Sequence, residues 1–148
     1  MRNKKYQAFC GADVVARDGI SVTGKCGLIT NHTGLLKDLF TTTIEVLRKI
    51  CKLTDLFGAD HGLYGEAQVG ADTGEYSIDG KTGLPVYSLY GKGKTKAEEA
   101  LIGLDTVFFG MQDVGTRFYT YAYTMTDTVA LCAKHGIRFI GLDRPNHL

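Results

Sequence analysis

Five short apolar runs, each ending in a cluster of polar and chemically capable residues, constrain this chain more than any other feature. Gly27-Leu28-Ile29 leads into Thr30-Asn31-His32-Thr33-Gly34, and residues 53–57 lead into Asp60-His61-Gly62. Residues 84–89 lead into Tyr90-Gly91, residues 106–110 into Gln112-Asp113-Val114-Gly115-Thr116-Arg117, and residues 137–142 into Asp143-Arg144-Pro145-Asn146. Segments of helical period separate most of the runs. Strands that alternate with helices predict right-handed βαβ units. The expected fold class is therefore α/β: a Rossmann-like, doubly wound, mainly parallel sheet of about five strands with helices on both faces. In such a sheet all five clusters fall on the carboxyl edge, where open α/β sheets bind ligands.

The pattern predicts strands over 25–30, 53–58, 85–90, 106–111 and 137–142. A helix is expected over 41–52, with Ile44, Leu47, Ile50 and Cys51 at helical spacing and Thr41 or Thr42 as N-cap. A short helix is expected over 96–102. A longer one over 118–135 carries Met125, Val129, Ala130 and Ala133 on one face and stops at Gly136. Residues 1–23 read as a lead-in, with a short element around Val14-Val15-Ala16, and residues 24–148 as the domain. Residues 62–83 are polar and glycine-rich without periodicity, which predicts a lid or site loop.

With 148 residues, 44% hydrophobic and 22% charged, the chain reads as one globular domain. A formal charge of +1 gives no footprint for nucleic acid; Lys92, Lys94 and Lys96 read as a solvated loop. No segment approaches the roughly 18 apolar residues of a membrane span. No apolar stretch of signal-peptide length follows the basic start, so the expected location on this ground is the cytoplasm, while the family resemblance described below also allows a periplasmic or secreted protein. Cys10, Cys26, Cys51 and Cys132 lack C-x-x-C spacing and read as reduced and structural. No metal or cofactor is expected. Gly91-Lys92-Gly93-Lys94-Thr95 resembles a phosphate loop but has Ser88 where G-x-x-x-x-G-K-[ST] requires glycine.

Three clusters offer chemistry. Asp60 can serve as general acid or base with His61 orienting it or contacting substrate; the alternative is that Asp60 caps a turn and His61 hydrogen-bonds backbone. Asp113 and Arg117 flank Gly115, and Tyr119 and Tyr121 can present rings and hydroxyls to a sugar; alternatively the two charges pair and the tyrosines are core. Pro145 biases Arg144 to an extended backbone. Arg117 and Arg144 are candidates to bind a carboxylate, although a structural Asp143–Arg144 pair fits the segment as well. Asn31 and His32, after the first strand, complete the rim.

Taken together, Gly27-Leu28-Ile29-Thr30-Asn31-His32-Thr33-Gly34, Asp60-His61-Gly62-Leu63 and Thr82-Gly83-Leu84-Pro85-Val86-Tyr87-Ser88-Leu89-Tyr90-Gly91 resemble the bacterial exo-β-N-acetylmuramidases. Gln112-Asp113-Val114-Gly115-Thr116-Arg117-Phe118-Tyr119-Thr120-Tyr121 and Leu142-Asp143-Arg144-Pro145-Asn146 continue the match. These are glycoside hydrolases of peptidoglycan turnover, long catalogued as a domain of unknown function. The resemblance implies a Rossmann-like N-terminal domain, a smaller C-terminal domain absent from this chain, and a site in the cleft between them. It also implies release of N-acetylmuramic acid from the non-reducing end of cell-wall saccharides. The lactyl carboxylate of that sugar suits Arg117 or Arg144. The resemblance places the leading catalytic carboxylate at Asp60, where the family has glutamate in a Pro-Glu-His-Gly run. Asp113 is the nearest second carboxylate. Asn31, His32, His61, Tyr119 and Asp143 are expected to bind substrate. The family also carries an Ala-Gly-Glu run where this chain has Val69-Gly70-Ala71. A non-catalytic sugar-binding domain and a phosphate binder stay open as rivals.

Overall fold

The computed structural model describes residues 9–59, 62–65, 76–116 and 118–144. Its elements are α1 (Gly11–Asp18), β1 (Cys26–Thr30), α2 (Thr43–Ile50), β2 (Leu53–Gly58), β3 (Tyr76–Ile78) and β4 (Pro85–Ser88). A 3-10 turn at Gly91–Gly93 then runs into α3 (Lys94–Ile102), followed by β5 (Thr106–Gly110), α4 (Tyr121–His135) and β6 (Arg138–Gly141). The strands lie in the order β3-β4-β2-β1-β5-β6. All neighbours are parallel except the β3–β4 pair. This is a mixed, mostly parallel α/β sheet. Among the described residues no helix is long and apolar enough to cross a membrane.

The central strands β1 and β5 are buried along their whole length, as expected of parallel strands covered on both faces. Alternation sends their side chains to two cores. Leu28, Leu56 and Phe108 pack with Ala12 and Val15 of α1 and with Ile44 and Leu47 of α2. Ile29, Phe57, Val107 and Phe109 pack with Ala97 and Leu101 of α3 and with Tyr121 and Cys132 of α4. Each of the fully buried leucines and phenylalanines contributes about 1.5–3 kcal/mol by leaving water. Helix α2 starts in a capping box: Thr42 accepts from the Glu45 N–H at 3.1 Å, and the Glu45 carboxylate accepts from the Thr42 N–H at 2.8 Å.

Two sequence expectations change. The glycine-rich stretch 62–83 contains a sixth strand, β3, antiparallel to β4. Its three residues are exposed and show no period, because only the cross-strand pairing with Pro85, Val86 and Tyr87 defines them. The hairpin turn is built by buried Asp79, which accepts from the Tyr64 hydroxyl at 2.8 Å, the Thr82 N–H at 3.0 Å and the Thr82 hydroxyl. Burial works to raise the Asp79 carboxyl, but these bonds outweigh it and hold the group below its usual range.

The second change concerns α4, which begins at Tyr121 and not near 118. It buries Tyr121, Thr124, Thr128 and Cys132 and leaves Met125, Val129, Ala130 and Ala133 exposed. A threonine row can be buried because the Thr124 and Thr128 hydroxyls donate to the carbonyls four residues back, at 3.1 and 2.7 Å. Apolar periodicity therefore selects the wrong face.

Gly11–Asp18, within the expected lead-in, form α1, which docks on the end of β6. Gly11 donates its N–H to the Asp143 carbonyl at 2.6 Å. All four cysteines are free. Burial and the neighbouring Cys26 thiol push the Cys51 thiol up to about 12, so it stays protonated and unreactive at neutral pH.

A Cβ at Gly11 would stand 2.7 Å from the Asp143 nitrogen and 2.8 Å from Leu142 backbone atoms. Gly11→Ala, which raises helix propensity by about 1 kcal/mol, is therefore expected to destabilise the fold by about 1–3 kcal/mol. The midpoint of urea unfolding, followed by circular dichroism, measures this directly.

Candidate active site

From β1 the chain moves outward through β2 to β4, then returns to place β5 on the other side of β1. The crossover direction reverses between β1 and β5, and a doubly wound sheet has its ligand crevice outside those two carboxyl ends. Here the two strand ends are tied together. The Thr30 hydroxyl, fully buried, donates to the Gly110 carbonyl at 3.0 Å. The following loop folds back so closely that a Cβ at Gly34 would lie 2.2 Å from the Thr30 hydroxyl; only glycine fits there. The Gly34 carbonyl accepts from both the N–H and the hydroxyl of Thr43, at 2.8 and 2.9 Å, which anchors the start of α2 at the rim.

Asn31 is the centre of the crevice wall. It is buried, and its amide donates to the Tyr121 hydroxyl at 2.8 Å. Its side-chain carbonyl accepts from the N–H and hydroxyl of Thr33, at 2.9 and 2.6 Å. The Thr33 hydroxyl oxygen accepts from the Gln112 N–H at 3.0 Å, and the Gln112 amide donates to the Asp113 carbonyl at 2.8 Å. One series of hydrogen bonds thus runs from the end of β1 to the main-chain carbonyl of Asp113 beyond β5. Asp113 Oδ1 caps its own loop, accepting from the Gly115 N–H at 2.6 Å. Asp113 Oδ2 is buried and has no hydrogen-bond partner among the described residues. Native structures seldom leave a buried acceptor unmatched unless the site has use for it.

Arg144 supplies the complementary feature at the end of β6. Its Nη1 donates to the Leu35 carbonyl at 2.9 Å, while Nε and Nη2 are buried without a partner among the described residues. It faces the α1 side, where its charge acts on Asp13. Burial works to raise that carboxyl, but hydrogen bonds from Cys10 and Lys37 and the Arg144 charge hold it below its usual range.

Comparison with known proteins decides the family. A family model described as exo-beta-N-acetylmuramidase NamZ, N-terminal, matches residues 26–148. This chain belongs to the NamZ N-terminal family. It is 49% identical over 147 residues to the peptidoglycan beta-N-acetylmuramidase NamZ of Bacillus subtilis (strain 168), covering 97% of the chain and 35% of that relative. Crystal structures of two DUF1343 family proteins from Bacteroides fragilis NCTC 9343 share the fold. One superposes with a TM-score of 0.78 at 35% identity over 93% of the chain and 35% of its own length. The other gives 0.68 at 26% identity over 95% and 36%. The chain thus spans about a third of the length of the relatives it matches.

Within this NamZ-type domain the described candidates all follow strand ends on one rim, though not all converge. Asn31, Asp113 and Tyr121 belong to one hydrogen-bonded wall. Tyr119 is partly exposed and meets Tyr121 edge-on, with ring centroids 5.0 Å apart. His32 is exposed and lies against Gly65, whose Cβ would stand 2.9 Å from its Nδ1. Asp143 is exposed, and its carbonyl, not its carboxylate, makes the contact to Gly11. Asp60, His61 and Arg117 lie outside the described residues, as do Pro145 and Asn146. The chain on either side of 60 and 61 is fixed at the end of β2, with the Gly62 N–H donating to the Ala59 carbonyl at 3.0 Å. Thr30, Thr33 and Gln112 join the site although none of them is a candidate by sequence. Their signal was position alone: short polar residues at the first places beyond the two innermost strands.

Asn31→Ala strips a donor from Tyr121 and an acceptor from Thr33. It is expected to lower stability by about 1–3 kcal/mol, whereas Tyr121→Phe removes the bond from Asn31 and lowers it by about 1 kcal/mol. The double variant should fall short of the sum. Full additivity in denaturant titrations would break the proposed connection between them.

Proposed function

We propose that this domain provides the muramic-sugar site of an exo-acting β-N-acetylmuramidase and acts on peptidoglycan-derived saccharides. The observation that carries the reading is the Asn31–Thr33–Gln112 network, which holds Asp113 with a buried, unmatched carboxylate oxygen at the switch point of the sheet. The B. subtilis relative with this activity in its name supports the choice of substrate. An unmatched buried acceptor asks for a donor, and a sugar hydroxyl or the water of a hydrolytic step supplies one.

Glycoside hydrolysis uses two carboxyl groups, one protonating the leaving oxygen and the other acting as base or nucleophile on the anomeric carbon. Asp113 is the described member of the pair. Asp60, just beyond Ala59 at the end of β2, is proposed as the other and as the leading acid. Its side chain is one methylene shorter than the family's glutamate, and a reacting group displaced by about 1 Å costs on the order of 10²-fold in rate. Arg144 presents Nε and Nη2, a geometry matched to a carboxylate, and is proposed with Arg117 to take the lactyl group. That group distinguishes muramic acid from other amino sugars. His32, His61, Tyr119 and Asp143 are proposed to line the approach.

The test is turnover of a chromogenic N-acetylmuramic acid β-glycoside by the purified chain. Asp60→Asn is expected to lower the rate by about 10²–10⁴-fold, the usual contribution of an acid–base group. Undiminished hydrolysis by the variant refutes that role. Saturable binding without turnover by the unsubstituted chain identifies a sugar-binding domain instead.

A further inference from the structure

A second concavity lies between α3 and α4, on the face of the sheet opposite α1 and α2. It encloses about 290 Å³, at the lower end of the range for small-molecule sites. None of the crevice residues Asn31, Asp113 and Arg144 lines it, so its chemistry is independent of theirs. Leu101, Thr124 and Thr128 are buried and form its floor, with half-buried Leu89 and Leu131 beside them. The two threonine hydroxyls donate to the carbonyls four residues back, at 3.1 and 2.7 Å, and Thr124 also meets the Tyr90 hydroxyl at 2.5 Å. What remains for a ligand is methyl and methylene surface. Such a floor suits an alkyl chain and gives a polyol no free donor.

The lip carries charge. Lys94 reaches across from α3 to Asp127 on α4 at 3.4 Å, both side chains more than half exposed, and such a pair contributes little to stability. Glu98, one turn beyond Lys94 on α3, adds a second carboxylate with no partner among the described residues. Two carboxylates against one ammonium leave the lip negative. Tyr123 stands on the same lip, two-thirds exposed, and an aromatic face attracts a cation. Asp127 already draws one ammonium, that of Lys94, across the groove. Glu98 and the Tyr123 ring are left to receive a second.

We infer that the groove between α3 and α4 binds an aliphatic primary ammonium, its alkyl chain over Leu101 and Leu131 and its charged end at the lip with Glu98 and Tyr123. The two halves of the site match the two halves of such a ligand. The floor removes methylenes from water, at about 0.8 kcal/mol for each one fully buried, and the negative lip takes the charge. A neutral alcohol of the same length gains the floor alone, and an alkyl carboxylate meets repulsion at the lip. An aliphatic amine is protonated at neutral pH, as a lysine side chain is, so the complementarity holds under ordinary conditions. The inference does not depend on the proposed function, since the crevice and the groove share no residue.

The test is an amide-resolved NMR titration of the whole labelled chain with n-butylammonium, n-butanol and butyrate in turn. Butylammonium is expected to give saturable shifts at Lys94, Glu98, Tyr123 and Asp127, more tightly than butanol, with butyrate the weakest of the three. Tyr123→Ala should weaken butylammonium about two- to fivefold, the range for an exposed cation–aromatic contact, and Tyr123→Phe should keep it. Glu98→Gln should bring its affinity down to that of butanol. Both side chains reach solvent, so none of these variants threatens the fold. No saturable shift in the groove, equal affinity for the amine and the alcohol, or indifference to Glu98→Gln overturns the inference. A further arm with Nα-acetyl-lysine methylamide separates two sources of the ammonium. Saturation by it as well as by butylammonium identifies a lysine side chain as an occupant, and saturation by butylammonium alone identifies a free amine.

Discussion

The tie between the carboxyl ends of β1 and β5 is the constraint on which the rest of the molecule depends. These two strands start crossovers that run in opposite directions, so the loops leaving them diverge and would expose backbone between them. Thr30 closes the base of that gap on Gly110, and Asn31 bridges its upper part to Tyr121. Both are buried polar residues, and each sends one side-chain hydrogen bond across the gap, while the Asn31 side-chain carbonyl is satisfied locally by Thr33. A hydrogen bond in such surroundings contributes modestly when made and costs more when one partner is missing. The network therefore acts chiefly by excluding other loop arrangements.

Packing on the two faces follows from that placement. The Thr43 contacts to Gly34 seat α2 on one face, and Tyr121 seats α4 on the other, so the same few rim residues set both helices. Helix α1 then closes the first face by docking Gly11 against Asp143 at the end of β6. Arg144, one residue on, is held by the Leu35 carbonyl in the loop after β1. Rim and cores are in this sense one structure. Substitutions at the crevice are expected to register in stability as well as in binding.

The parallel sheet was legible because its strands are continuous apolar runs with glycine, asparagine or aspartate at their ends. That pattern arises only where both faces are covered. Two features escaped for physical reasons. Strand β3 is three exposed residues whose only definition is pairing with β4, so no local period announces it. The buried face of α4 is a threonine row made apolar by back-bonding to its own helix, while the exposed face carries Met125 and Val129. Within the site, Asn31 and Asp113 were legible as polar residues just beyond strand ends. The linking roles of Thr33 and Gln112 were not, because a hydrogen bond across 79 positions leaves no trace in local sequence. The 3.0 Å bond between Thr30 and Gly110 was hidden for the same reason.

The reading turns on whether the acceptor left open at Asp113 meets a muramic sugar. Calorimetric titration of the chain with N-acetylmuramic acid, beside the Asp113→Ala variant, addresses this most directly. Saturable heat with the unsubstituted chain and none with the variant, at unchanged thermal stability, is the expected result. Equal binding by both, or none by either, contradicts the assignment of the switch-point crevice as the sugar site.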